Sequence, residues 1–574
     1  MRMRKMIAAG CAALALCAAG VDESANVWQA NASGEWSGSW TDPDHWSKGA
    51  VPTSSDDAVL PVPAGASASY TVTASAAIEV RSLTVGSGSA GGALAIFESH
   101  TASMHQIGGD LLVKGNGMMT HSANTTTKNP PLGDSEYFGL RLAVGGNATI
   151  EPGAVLDVNE KGYPRDHAGP GKGQDSSHSP SHGGRGPVYN SGKSIACYGS
   201  IERPVALGSS GFGPGGGVVR LDVTGALSLD GQILANGGIG KGYFTGAGGS
   251  IWISAASLSG SGRVEANGSN ATYNSGMNLL YLGGGGGRVA ITVGEGGFAG
   301  WRGDARAYGG GKLTGGNPCG AAGTVYTKEG SRQGVVLLDN DGKDSGTLGA
   351  DWPSGSSDTT EFLQSVKLVV TNGGCLSVQG NATVSDVCIE AGGKLLLQDG
   401  KTLSVTGSFA CSGSISSSGT VELVGPDEAT ISGNSTFWNF KCAVPGKTIR
   451  FATGADDVFG IAAGGSLTLT GEEGSMINLY SANPGETWKI RVPSTATRSL
   501  TYLAVSNSNA SVGDTISVQK AEAEDCGGNE NWLFLSPIEA GDPMVWRTDA
   551  ANDNWFDSAN WRDKNGKPRL VVAT

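Results

Sequence analysis

Short strands that recur in register, each entered through glycine, constrain this chain more than any other feature. GGGVVRLDV ends at Val223, GGSIWIS at Ser254, GGRVAITV at Val293 and GTVYTK at Lys328, and each alternates apolar with polar residues as a half-buried strand does. Their aligned apolar residues Val219, Ile251, Val289 and Val325 stand 32, 38 and 36 residues apart. The residues that follow match too: ALSLDGQILANGG comes after the first strand and SLSGSGRVEANGS after the second. The pattern predicts a coil made of a strand, a turn, another strand and a Gly-Asn-rich return.

A tighter period follows. LVVTNGG at 368–374 matches VCIEAGG at 387–393, and CLSV at 375–378 matches KLLL at 394–397, a shift of 19 residues that also carries Leu396 onto Ile415. About 19 to 20 residues per turn, in strands of three to five, suits one rung of a parallel β-solenoid. A single rung cannot bury its inward side chains, whereas stacking at ~4.8 Å buries them and pairs the backbone with the rungs on either side. The longer upstream intervals fit either two rungs or one rung with a long loop. Earlier, YTVTA, SLTVG and DLLVKG between residues 60 and 130 read as further strands.

Composition agrees. Of 574 residues 94 are Gly and 22 are Pro, yet there is no G-X-Y period, which excludes collagen. With 39% hydrophobic and only 16% charged residues, the chain has enough apolar material for a core and too little charge for helical bundles. Glycine or asparagine at solenoid corners accepts positive φ without steric penalty. GGGGGRVAI at 283–291 lacks the Lys-Ser or Lys-Thr of a phosphate-binding loop and sits among strands, so nucleotide binding is excluded. The net charge of −13 argues against nucleic acid as a partner.

MRMRKMIAAGCAALALCAAG at the start has Arg2, Arg4 and Lys5 before an apolar run and reads as a secretory signal, with cleavage after Ala19 or Gly20. Lipoprotein processing at Cys17 is disfavoured by Leu16, where a small residue is expected. No later run approaches the ~20 apolar residues of a membrane span, so a secreted or cell-surface location without a transmembrane anchor is expected. Seven cysteines remain after the signal (Cys197, Cys319, Cys375, Cys388, Cys411, Cys442 and Cys526), an odd and scattered set that makes no disulfide framework.

Residues 26–60 carry Trp28, Trp36, Trp40 and Trp46, then Pro52, Asp56 and Asp57. The motif returns as Trp546, Trp555, Trp561 and Pro568, with Trp555 to Trp561 spaced as Trp40 to Trp46. This second copy stops at Thr574, as expected of a fragment of a longer protein or of a chain ending in a stub. Buried aromatics that cap the open end of a core are the preferred reading, and stacking on sugar rings is the alternative.

YGSIERP at 198–204 with GSSGFGPGGGVVRLDVTGALSLDGQILANGG, GGGGGRVAI, TVYTKEG with GVVLLDNDG at 334–342, and TYLAVSNSNA with DCGGNENWLF at 525–534 carry a resemblance over about four-fifths of the chain. The chain resembles large bacterial secreted or cell-surface proteins of the adhesin and autotransporter-passenger type. The resemblance implies an all-β, right-handed parallel β-helix with long Gly-rich loops, and a surface-exposed, often adhesive role without a set of catalytic residues. The expected organisation is a signal at 1–20, a Trp-rich cap at 21–60, a Gly-rich β-helix at 61–335 with a long loop at 160–217, 19-residue rungs at 336–500, a terminal module at 501–536 and a linker with a truncated Trp repeat at 537–574. The expected role is a structural or adhesive scaffold, not an enzyme, whose partners are glycans or host or cell-surface molecules. The alternatives are a polysaccharide lyase or hydrolase on the same fold and a carbohydrate-binding module using the Trp-rich segment.

Local chemistry is sparse. Asp157 and Asn159 in VLDVNEKG, Asp222 in VRLDV and Glu265 in RVEANG are single side chains at repeat-equivalent places and read as outward strand positions, whereas catalysis needs converging carboxylates. The segment from Tyr163 to Pro187 holds Asp166, His167, Asp175, His178, His182 and Arg185 among Gly, Pro and Ser. Pro180 rules out the helix on which His178 and His182 would share a metal, so a projecting loop that grips a partner is expected. Asp339, Asp341 and Asp344, or Asp525, Asn529 and Asn531, could offer oxygens to calcium, but the spacing is not that of an EF-hand and an Asp-Asn-Gly turn needs no metal. Cys375, Cys388 and Cys411 lie near consecutive rungs at offsets that miss the 19-residue shift, so buried thiols are expected. No catalytic, cofactor or metal residue is assigned.

Overall fold

The computed structural model describes residues 24–88, 92–127, 136–172, 178–188, 193–239, 245–270, 282–311, 319–353 and 357–536, with short pieces at 273–274, 279–280, 544–546, 560–563 and 566. The signal sequence, Asp175, Trp555 and Pro568 lie outside the described residues. The chain divides into two compact units, Met1–Thr359 with Gly373–Cys375, and Thr360–Asn372 with Leu376–Thr574. Among the described residues the regular structure of both is nearly all β-strand, mostly in parallel sheets.

In the N-terminal unit the strands form three parallel ladders. The first runs through Asn26–Val27, Asp57–Leu60, Ser82–Val85, Leu111–Val113, Ala148–Ile150, Ala226–Leu229, Ser257–Gly260 and Gly300–Trp301. The second runs through Gly38–Ser39, Tyr70–Ala74, Ala95–Ser99, Gly117–His121, Val155–Asp157, Gln232–Leu234, Arg263–Glu265 and Asp304–Arg306. The third takes Glu79–Val80, His105–Ile107, Leu140–Val144, Val218–Val223, Ser250–Ala255, Arg288–Val293 and Thr324–Glu329. From Asp57 onward the chain visits these ladders in strict rotation, the wiring of a coil and compatible with a solenoid-like fold. An antiparallel hairpin of Thr324–Glu329 with Val335–Asp339 ends the third ladder.

The register agrees with the sequence alignment: Val219 pairs with Ile251, Ile251 with Val289 and Val289 with Val325. Each interval is one coil, and the coil has three strands rather than two, because ALSLDGQIL bends at Asp230-Gly231 into Ala226–Leu229 and Gln232–Leu234. Inward residues such as Leu221, Leu227 and Ile233 are fully buried and join one apolar cluster that begins at Trp28, Trp40 and Trp46. The three tryptophans stack edge to face at 5.0 and 4.8 Å, and Trp40 meets Phe97 at 5.8 Å, which closes the first coil.

Glycine at corners with positive φ, as expected, occurs at Gly153 and Gly392. The glycines of the long returns have a different cause. A Cβ on Gly248 would lie 2.1 Å from Ala266 O, on Gly286 2.0 Å from Ala307 O, and on Gly323 1.9 Å from Gly287 O. Here backbone lies directly on backbone: Gly216 N donates to Ala247 O (2.9 Å), Gly248 N to Gly285 O (3.1 Å) and Gly286 N to Ala321 O (3.0 Å). Among the described residues these returns add no strand to the three ladders, the return before Arg288 holding only the short antiparallel pair Tyr273–Asn274 with Leu279–Leu280, and they satisfy their peptide groups sideways between coils.

The segment between Asp157 and Val218 departs from expectation. Its described part holds a single bridge, His178 with Val188, and no longer strand. This described part packs down onto the coils instead of projecting. Ser181, His182, Ser209 and Ser210 are fully buried, because the segment packs its glycines into the same backbone lattice.

In the C-terminal unit one ladder links Lys367–Thr371, Asp386–Ile389, Phe409–Cys411, Ala429–Cys442, Thr448–Phe451, Ile477–Ser481, Leu503–Val505 and Ala523–Asp525. A second links Ala382–Val384, Thr402–Val405, Thr420–Leu423, Ala429–Cys442, Val458–Thr470 and Thr497–Thr501. Leu368 pairs with Val387 at the expected shift of 19. Ile415 pairs with Leu395 and not with Leu396. Leu395 and Leu397 are the inward residues there, and a slip by one would turn both outward. The core is aromatic: Phe409, Phe437, Phe440, Phe459, Phe451 and Trp488 form an unbroken chain of ring contacts between 3.9 and 5.3 Å.

Candidate functional site: grooves on the strand faces

Parallel pairing places every second residue of a strand outward and stacks equivalents from coil to coil, so the outer faces carry columns of side chains ~4.8 Å apart. On the second ladder one column reads Thr73, Glu98, Thr120, Asp157, Leu234, Glu265, Arg306. A groove of about 490 Å³ lies on this face, lined by Ile96, Glu98, Met118, Asp157, Glu160 and Lys161 among others. Burial pushes the Asp157 carboxyl up, against the bond that its Oδ1 accepts from Asn159 N (2.9 Å) and the charge of Lys161. On the third ladder a groove of about 550 Å³ includes the column Glu79, Gln106, Ala143, Asp222, Ser254.

The structure separates the sequence candidates. Asp222 is tied to Arg220 (Oδ2 to Nη2, 2.8 Å), whose guanidinium lies over the Trp252 ring at 4.2 Å. Glu265 sits between Arg263 (3.3 Å) and Arg306 (3.6 Å). Asn159 has a structural task. Its Oδ1 accepts from Asn236 N (2.7 Å), Asn236 Oδ1 accepts from Asn267 N (2.7 Å), and Asn267 Oδ1 from Tyr308 N (2.8 Å). This asparagine ladder holds one corner of successive coils, and it was legible in the recurring Asn of VNEKG, LANGG and EANGS.

Asp166 and His167 occupy a turn with φ of 75° and 60°, and the His167 ring meets Phe212 at 4.8 Å. His182 is fully buried, and Arg185 binds Asp351 at 2.6 Å. Among the described residues no group of three or more His, Cys, Asp or Glu is placed to hold a metal ion. The oxygens considered for calcium serve turns: Asp339 Oδ1 accepts from Asp341 N (2.8 Å), Asp341 binds Lys343 (3.1 Å), and Asp344 Oδ1 accepts from Gly346 N (2.9 Å). Asp525 Oδ1 accepts from Gly527 N (3.0 Å) and Asn529 Nδ2 (2.7 Å), while Asn531 Oδ1 accepts from Thr515 Oγ1 (2.7 Å).

Cys375 and Cys411 are buried thiols, and Cys388 is half-buried. Cys411 pairs with Ile389 and so faces inward, whereas Cys388 pairs with Ala410 on the outer side. The Trp28, Trp40 and Trp46 rings are at most 3% exposed and offer no free face to a sugar. The second Trp copy repeats the geometry: Trp546 pairs antiparallel with Trp561 at 5.2 Å and 90°, as Trp28 pairs with Trp46 at 5.0 Å and 87°. Sequence reasoning missed His45, stacked on Trp28 at 4.4 Å, and Arg288, fully buried behind GGGGG.

Comparison of the chain with protein-family profiles, curated proteins and solved structures finds no match to any of them.

Proposed function

We propose that this chain is an exported, surface-exposed scaffold with a structural or adhesive role, wound as a right-handed parallel β-helix. The strict rotation through three parallel ladders carries the reading, because such a coil sets hydroxyl, amide and charged side chains in fixed rows on its outer faces. Parallel crossover connections are right-handed in about 98% of cases, which supports the hand. The partners are glycans or other cell-surface molecules, taken up along the Glu98–Asp157 and Glu79–Asp222 grooves. Ion pairing of Asp222 and Glu265 on their own strand faces supports a binding surface over a reaction centre.

A glycan array probed with the purified protein tests the reading. Binding that falls at least tenfold on Asp222→Arg without loss of folding is expected; no binding to any glycan or cell surface overturns it. One observation favours a second reading, a polysaccharide-active enzyme: the half-buried Asp157 carboxyl is pushed up, as a general acid requires. Release of oligosaccharides by the wild-type protein, abolished by Asp157→Asn, would establish that reading instead.

A further inference from the structure

The buried segment between Asp157 and Val218 crosses successive coils instead of following one. His182 Nδ1 donates to Gly248 O (2.7 Å), Gly183 N and Gly184 N both donate to Gly286 O (2.9 Å), and Ala321 N donates to Arg185 O (2.9 Å). Gly248, Gly286 and Ala321 lead into three consecutive strands of the third ladder, so four residues fasten three coils. Further on, Cys197 N donates to Asp351 Oδ2 (2.8 Å), while Ser200 Oγ and Ile201 N donate to Asp358 Oδ1 (2.6 and 3.0 Å).

Two fully buried side chains meet beneath this segment. Arg288 Nε donates to Tyr198 O (2.9 Å) and Nη1 to Thr324 Oγ1 (3.0 Å), and Nη2 has no hydrogen-bond partner among the described residues. His182 carries its proton on Nδ1, where Gly248 O accepts it, so Nε2 is a bare lone pair, and no described group donates to it. Both side chains border one point: a Cβ on Gly199 would lie 3.3 Å from His182 Nε2 and 3.7 Å from Arg288 Nε. The titratable and charged groups facing His182 are Arg288 and Tyr198, whose ring packs at 4.6 Å. Behind Arg288 stand Cys197, Asp351 and Asp358, with Arg185 bound to Asp351.

We propose that residues 178–188 and 193–202 form an axial strap over the coils, and that His182, wedged against the buried Arg288, is the latch that releases this strap in acid. Protonation would put an N–H⁺ on Nε2 with no acceptor, next to a guanidinium. Burial first, and Arg288 second, hold the imidazole down to about 3, against an ordinary value near 6.5. The closed strap therefore binds one proton fewer than the open strap between those limits. Closure is fully favoured above pH 6.5, and the opening equilibrium rises about tenfold for each pH unit below it.

Hydrogen exchange on the full chain from pH 7 to pH 4, corrected for intrinsic rates, tests this at Gly183, Gly184 and Tyr198, with Phe440 of the histidine-free C-terminal unit as reference. Opening of the strap is expected to rise about tenfold per pH unit while the reference stays protected, and to be flat in His182→Asn, whose amide can still donate to Gly248 O. If that variant does not fold, titration of the wild-type histidines by NMR decides. An imidazole of His182 still neutral at pH 5 in the closed strap supports the latch. A wild-type strap whose protection ignores pH, an equal slope in the variant, or a His182 that titrates near 6.5 with the strap closed overturns it.

Discussion

At Gly286 in the N-terminal unit an added Cβ would meet Ala307 O at 2.0 Å and Gly323 N at 2.4 Å; at Gly400 in the C-terminal unit it would meet nothing within 4 Å, and φ is +68°. The same residue type answers two different demands. In the long coils glycine lets the backbones of neighbouring returns touch, and the contact itself is made of peptide hydrogen bonds. At the corner after Lys394–Leu397 it only relieves a left-handed turn. The cores differ in parallel. Among the described residues, the continuous cluster of the N-terminal unit has no aromatic residue after Phe97 other than the peripheral, half-buried Phe298 and Trp301, whereas the C-terminal unit is threaded by a chain of rings from Phe409 to Trp488. A coil whose long glycine returns lie backbone on backbone tolerates a small aliphatic interior; in the C-terminal unit such approaches occur at isolated glycines, as at Gly433, where an added Cβ would lie 1.8 Å from Cys411 O, and the interior is filled by large side chains.

The sharpest way to break this contrast is to add one methyl group to each kind of glycine. Gly286→Ala drives a Cβ into backbone atoms that cannot rotate away, and a loss of more than about 4 kcal/mol is expected, seen in denaturant melts and as lost exchange protection across 208–323. Gly400→Ala is expected to cost about 1 kcal/mol, the strain of one residue at positive φ. Equal costs would refute the distinction. Next in size is the aromatic chain: Phe437 touches Phe409, Phe440 and Phe459, and Phe437→Ala is expected to cost about 3–5 kcal/mol, with Phe437→Leu recovering part of it.

Why some of this was legible in sequence and some was not follows from range. The partners of Val219 could be read because a parallel register copies the same inward residue at the same offset from its glycines. A constant shift of 19 misplaces Ile415 by one residue because the rung length varies: Val387 pairs with Phe409 at a shift of 22, and the corner Ser412-Gly413, two residues shorter than Glu390–Gly393, brings the next pair to 20; corner lengths leave no periodic trace. The fate of segment 160–217 was hidden for another reason. Gly, Ser and Pro compose both an exposed loop and a backbone lattice, and only its partners at 246–249, 283–287 and 320–323 decide between them. Asp157 looked like any outward carboxylate, because the burial that raises it comes from side chains on other strands.

A smaller effect separates the units by pH. All seven histidines precede residue 183, so only the N-terminal unit can lose stability through them. His105 accepts from Ile78 N through Nδ1 (3.1 Å) and bonds Ser99 Oγ through Nε2 (2.9 Å), while the His121 Nε2 accepts from Val218 N (3.2 Å). Protonation would set an N–H against an N–H in each ring. Burial holds them near 4 and 3, below the unfolded value near 6.5, so the stability they permit is complete above pH 6.5 and falls as the pH drops. By pH 5 each is expected to cost about 2 kcal/mol, read as exchange protection lost at Leu142 and Val219 and kept at Phe440. His105→Gln should remove its share of the slope.

The smallest effect is expected at Asp157. Its carboxyl is raised by burial, so the folded chain favours the protonated form, and keeping the charge at pH 7 is mildly unfavourable. Asp157→Asn retains an oxygen for Asn159 N and removes that charge, and so should stabilise the N-terminal unit at pH 7 by less than about 1 kcal/mol, an effect that shrinks as the pH falls through the raised value and vanishes below the ordinary carboxylate range. The same variant separates the two uses of the groove. If the groove only binds, the substitution shifts affinity for a glycan and leaves no turnover to lose. If Asp157 delivers a proton, the more stable variant is the inactive one, a trade expected where a buried carboxyl is kept for chemistry and not for the fold.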